Sequence, residues 1–122
     1  MRIKLYQIDH DLDQNRVTYC SYDSTIRYAG TVDPGIYVVV FDGEVDCKDI
    51  EDVYRLFNVG AKPDNYSGRS MSVSDVLRVV ESDHVAPGFY FCDTIGFKKI
   101  DFDAEKIWDG GRCEIAGNSN KP

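Results

Sequence analysis

The chain has 122 residues, 14 Lys plus Arg against 21 Asp plus Glu, and a formal net charge of −7. That length fits one domain with a single hydrophobic core, and 43% apolar residues exclude wholesale disorder. The acidic balance argues against a general binder of phosphate backbones, whose affinity comes from Lys and Arg. Residues 2–8 (RIKLYQI) alternate charged and apolar side chains and predict a first strand, with Ile3 and Leu5 on one face. Residues 10–15 read as a polar turn, and Val17 to Cys20 as a short second strand forming a hairpin with the first. Asp23 or Ser24 caps one or two helical turns through Tyr28, stopped by Gly30. Asp33-Pro34-Gly35 is a turn, and the apolar run from Ile36 to Phe41 predicts a central strand covered on both faces.

The clearest helix follows. Asp49 is its N-cap, and Ile50, Val53, Tyr54 and Phe57 recur at i, i+3, i+4 and i+7. Asn58 and Gly60 stop it, and residues 61–69 form a loop. Ser74 then reads as the cap of a second helix, with Val76, Val79 and Val80 as its buried stripe and Asp75 near its positive end. Phe89 to Cys92 and Phe97 to Ile100 flank Asp93-Thr94-Ile95-Gly96 as a second hairpin. Residues 103–108 form a terminal helical turn, and 109–122 read as a flexible tail. The expected architecture is a single α+β domain over 1–108: a mostly antiparallel sheet with two principal helices packed on it.

No N-terminal apolar core marks a signal peptide, and no stretch approaches the roughly 18 apolar residues of a membrane span. Cys20, Cys47, Cys92 and Cys113 lack any CxxC spacing, which favours free thiols in a cytoplasmic protein over disulfides or zinc. Cys92 with His84 is the one local pairing that could make a catalytic thiolate, but Phe89, Tyr90 and Phe91 surround that cysteine with apolar bulk, which keeps a thiol protonated. Residues 66–75 (YSGRSMSVSD) bring a helix start and an arginine together, so they are the candidate for a small ligand or nucleotide. They carry one glycine and no GK[ST] signature. Tyr66 and Arg69 are the side chains expected to face a partner.

Residues 42–52 place Asp42, Glu44, Asp46, Asp49, Glu51 and Asp52 beside a single lysine, Lys48. Such a run is ordinarily a solvated face. Its functional alternative is an acidic ridge that docks on a basic partner or imitates the charge spacing of DNA. Asp42, Glu44, Asp46 and Glu51, with Tyr66, Arg69 and Asp93, are the expected partner-binding residues.

Three ordered blocks carry a family resemblance. Phe41-Asp42-Gly43-Glu44-Val45 leads into Asp49-Ile50-Glu51-Asp52-Val53-Tyr54, followed by Tyr66 to Val76 and by Gly88 to Lys99. Over roughly residues 1–102 the sequence resembles the YodL-like proteins. These occur in Gram-positive bacteria, many on conjugative elements, and have no established catalytic residues. The resemblance implies a non-catalytic accessory protein of a mobile element that binds a host or defence protein, including inhibitors of the anti-restriction or anti-CRISPR type. The residues themselves lead to the expectation of no cofactor, no metal, no membrane and no direct contact with nucleic acid. The alternative remains a ligand module centred on residues 66–75.

Overall fold

The computed structural model describes residues 1–60 and 62–108. Its strands are β1 (Arg2–Ile8), β2 (Tyr37–Glu44), β3 (Val76–Glu81), β4 (Gly88–Cys92) and β5 (Phe97–Ile100), and its helices are α1 (Tyr22–Ala29) and α2 (Ile50–Asn58). The strands form one antiparallel sheet in the order β2-β1-β3-β4-β5. The chain is therefore a single α+β domain.

Side-chain alternation along β1 divides the core in two. Ile3 and Leu5 join Phe41, Leu77 and the α2 residues Val53 and Phe57 on one face. Tyr6 and Ile8 join Tyr37, Val76, Phe91 and Phe102 on the other, where Tyr22 and Ala29 of α1 pack. Each such side chain contributes roughly 1.5–3 kcal/mol when fully buried. The register of β1 against β2 shifts between Leu5 and Tyr6, because Leu5 faces Phe41 while Tyr6 faces Val39. The extra residue, Val40, thus points to the α2 side together with Phe41.

The helix ends follow local chemistry. Ser21, rather than Asp23 or Ser24, caps α1: its Oγ accepts from the Ser24 amide at 3.1 Å, and Gly30 closes the helix in the left-handed region at φ 82°. Asp49 caps α2 as its position suggests, accepting from the Asp52 amide at 2.8 Å.

Other expectations are corrected. Residues 17–20 form no strand. The Asp13 carboxylate gathers the Val17 and Thr18 amides at 2.9 Å and the Thr18 hydroxyl at 2.6 Å, closing a compact loop instead. Residues 74–80 are not a second helix: β3 occupies the middle of the sheet, and the second helix of the fold is α1. Val76 and Leu77 are buried on opposite faces, and a strand covered on both sides lacks the polar alternation that marks a half-exposed one. Asp75 therefore does not sit near a helix end. The run at 36–41 lies in an edge strand rather than a central one. Its outer side is nevertheless covered by chain, since the Ser67 and Trp108 amides donate to the Val40 and Tyr37 carbonyls at 3.0 Å. Residues 104–106 form a short 3-10 turn. The tail expected at 109–122, with Cys113, lies outside the described residues.

Candidate functional site

Gln7 follows Ile3 and Leu5 on the α2-facing side of β1 and is 1% exposed. A buried amide must find partners, and it finds them in the 66–75 loop. Its Nε2 donates to the Arg69 carbonyl at 2.9 Å, to Asp75 Oδ2 at 3.0 Å and to the Tyr66 hydroxyl at 3.2 Å. Its Oε1 accepts from the Arg69 amide at 3.1 Å. Asp75 also accepts from the Ser72 amide at 2.9 Å. Gly68 permits the close seating, because a Cβ there would overlap Gln7 Oε1 and lie 2.9 Å from Val40 Cβ.

Tyr66 and Arg69 consequently turn inward. The Tyr66 ring packs on Phe57 at 4.8 Å between centroids. The Arg69 guanidinium lies 3.6 Å from Asp75 Oδ1, donates to the Ile8 carbonyl at 3.3 Å and covers the Tyr19 ring at 5.2 Å. Burial pushes the Asp75 carboxyl up to about 7, against the opposing pull of the Ser72 amide, Gln7 and Arg69. Arg69 Nε, Arg69 Nη2 and Asp75 Oδ1 have no hydrogen-bond partner among the described residues. Arg16, Tyr19 and Ser74 are the non-glycine residues with positive φ among those described. Two of them meet, since the Tyr19 amide donates to Ser74 Oγ at 3.0 Å.

The acidic segment separates into bound and unbound groups. Asp42 faces Lys4 across the β1–β2 ladder and pairs with Arg2 at 3.1 Å and Lys4 at 3.8 Å. Asp49 is the α2 cap. Asp52 accepts from the Lys48 amide at 3.1 Å and from Arg55 at 2.8 Å, which hold its carboxyl below the usual range. Glu44, Asp46 and Glu51 are exposed and make no hydrogen bond or ion pair through their carboxylates among the described residues. Asp93 ties two elements together: its Oδ1 accepts from the Tyr22 amide at 3.1 Å, at the start of α1, and from the Thr94 amide at 2.9 Å.

Glu51 and Asp93, distant in sequence, line the same cleft of about 210 Å³ between α2 and the β4–β5 turn. Tyr54 and Phe97 line it too, their rings edge-on at 6.3 Å. Cys92, 3% exposed, belongs to its lining. Its thiol is pushed up to about 12 by burial first, then by Asp75, Glu51 and Asp93. His84 sits in the β3–β4 connection, at the opposite end of that hairpin from Cys92. The expected obstacle to a Cys92 thiolate is therefore present, and the local His84 pairing is not assembled. No group of three or more His, Cys, Asp or Glu side chains could hold a metal among the described residues. Likewise, no described helix is long and apolar enough to cross a membrane.

A family model for the YodL-like domain matches residues 2–102. The chain belongs to the YodL-like family. The matched span contains all five strands and both helices, and it ends at Phe102, which packs on Tyr6, Tyr37 and Phe89. No curated protein and no solved structure matches this YodL-like chain.

Sequence reasoning passed over Gln7, Gly68 and Phe97 as site-forming residues. Gln7 carried one signal, an uncharged polar residue at an inward position of a strand. The role of Phe97 had none, because the approach of α2 to the β4–β5 turn is purely tertiary.

Proposed function

We propose that this YodL-like chain is a non-catalytic, cytoplasmic accessory protein of a mobile genetic element, acting by stoichiometric binding to a host or defence protein. It docks through the acidic segment 42–52, in the manner of an inhibitor of restriction or CRISPR nucleases. The observation that carries this reading is the set of exposed carboxylates of Glu44, Asp46 and Glu51, which no partner within the described residues neutralises. Neighbouring acids have structural employment, as Asp42, Asp49 and Asp52 do.

The test is capture of partners from a Gram-positive host lysate by the wild-type chain and by E44K/D46K, identified by mass spectrometry. Raising salt from about 0.1 M to about 1 M shortens the Debye length from about 10 Å to about 3 Å. A specific partner should be retained at low salt, released at high salt and lost in the charge-reversed variant. Equal capture under all conditions would remove the acidic docking mechanism.

A second reading, a small-ligand or nucleotide module at residues 66–75, draws on Arg69 Nε and Nη2 and Asp75 Oδ1, which make no hydrogen bond among the described residues, though Nη2 and Oδ1 pair at 3.6 Å. A nucleotide present at 100 times its Kd should stabilise the fold by about 2.7 kcal/mol. An unchanged melting temperature across a nucleotide panel at millimolar concentration would eliminate it.

A further inference from the structure

We propose that the cleft between α2 and the β4–β5 turn is a receptor for a single arginine side chain of the partner protein, a reading that rests on protein docking as the function. Its lining includes Glu51 and Tyr54 from α2 and Asp93 and Phe97 from the β4–β5 hairpin, so each element contributes one carboxylate and one aromatic ring. Three properties select the occupant.

The first is charge. Two carboxylates line the cleft and, among the described residues, no Lys, Arg or His does. Glu51 has no partner among the described residues. Asp93 uses one oxygen for the Tyr22 and Thr94 amides and has its second oxygen unengaged among the described residues. Two acids lining one cleft favour a cation between them; the Cys92 thiol in the same lining is pushed up by burial first, then by Asp75, Glu51 and Asp93.

The second property is the apolar wall. Tyr54 and Phe97 offer ring surface to an aliphatic stem, and a guanidinium stacks on such rings while its fork meets a carboxylate. The domain already makes this kind of contact internally, with Arg69 over Tyr19 and Arg78 over Phe89.

The third is size. At about 210 Å³ the cleft is smaller than the roughly 300–1,000 Å³ of pockets that enclose whole small-molecule ligands. It suits one side chain delivered from a surface outside. Ile95, at the tip of the adjoining turn, is 93% exposed and offers apolar contact to the backbone that would carry the arginine.

The experiment is a titration of the isotope-labelled full chain with the tripeptide acetyl-Gly-Arg-Gly-amide, followed by amide chemical shifts. Its control is the same peptide with citrulline, which keeps the shape and removes the charge. Saturable shifts are expected at Glu51, Tyr54, Thr94, Gly96 and Phe97. Loss of two exposed charge contacts should weaken affinity up to about thirtyfold for citrulline and for the E51Q/D93N variant. Asn at position 93 retains an oxygen for the Tyr22 amide, and E51Q alone alters only an exposed side chain, so a folded comparison exists. Equal binding of citrulline, shifts confined to residues outside the cleft, or no saturable shift would each overturn the arginine receptor. Docking through 42–52 is judged separately by E44K/D46K, which changes no cleft residue.

Discussion

Replacing Gly68 with Ala asks whether the 66–75 loop is seated as tightly as its geometry indicates. The new methyl would overlap Gln7 Oε1 and sit 2.9 Å from Val40 Cβ and 3.0 Å from Val40 Cγ2. Val40 is buried in β2, and Gln7 is held through Arg69, Asp75 and Tyr66, so neither neighbour swings clear without loss. Overpacking of this kind costs about 1–3 kcal/mol. Displacing Gln7 also breaks its bond from the Arg69 amide, and an unsatisfied buried group adds about 1–3 kcal/mol. The expected loss is about 2–6 kcal/mol, a large share of a typical stability of about 5–15 kcal/mol. Urea denaturation monitored by circular dichroism should show a lower midpoint with an unchanged slope. G68A should also cost less in a Q7A background, because the methyl then meets only Val40; that coupling distinguishes the proposed clash from a general intolerance of alanine. G96A provides a contrast, since among the described residues nothing lies within 4 Å of a Cβ there and the φ of +71° is what opposes it. If G68A unfolds within about 0.5 kcal/mol of wild type, the loop is not packed on Gln7 as described.

Asp75 gives a pH prediction. The folded state holds its proton up to about pH 7, whereas the unfolded chain releases it near the ordinary value of about 4. Its contribution to stability is fully present below about pH 4 and is lost as pH rises through 7, by roughly 4 kcal/mol at most. D75N titrates no carboxyl there, so its stability relative to wild type should improve between pH 4 and 8; a flat difference would contradict a protonated Asp75. D93A removes the acceptor for the Tyr22 amide at the α1 start and should cost about 1 kcal/mol, while D93N should retain most of it. Equal melting temperatures for the two variants would show that the contact holds nothing. Cys92 should resist alkylation at pH 8 in the native chain, where only about one thiol in ten thousand is ionised, and react after unfolding. Rapid native modification of Cys92 at that pH would show that its burial is not maintained.

Local chemistry was legible wherever it stayed local. The alternation in residues 2–8, the α2 periodicity with its Asp49 cap, and the turn between Phe91 and Phe97 all appear in the fold. Residues 74–80 failed because valines at helical spacing also suit a strand buried on both faces, and only the neighbours β1 and β4 decide between the two. The 17–20 loop failed because Asp13 captures backbone amides that a ladder would otherwise use. The sequence located the excess charge, since residues 42–52 hold six acids against one lysine, or −5 of the total −7.

By itself, then, the sequence determined one α+β domain, its family and an acidic segment, because composition, caps and short-range periodicity are carried by neighbouring residues. The tertiary structure alone decided which charges remain unengaged. It brought Arg2 and Lys4 to Asp42, turned Arg69 toward Asp75, and placed Glu51 beside Asp93 at one cleft. Those outcomes depend on strand order and on how α2 crosses the sheet, and a charge acquires a function or loses it through neighbours that are far away along the chain.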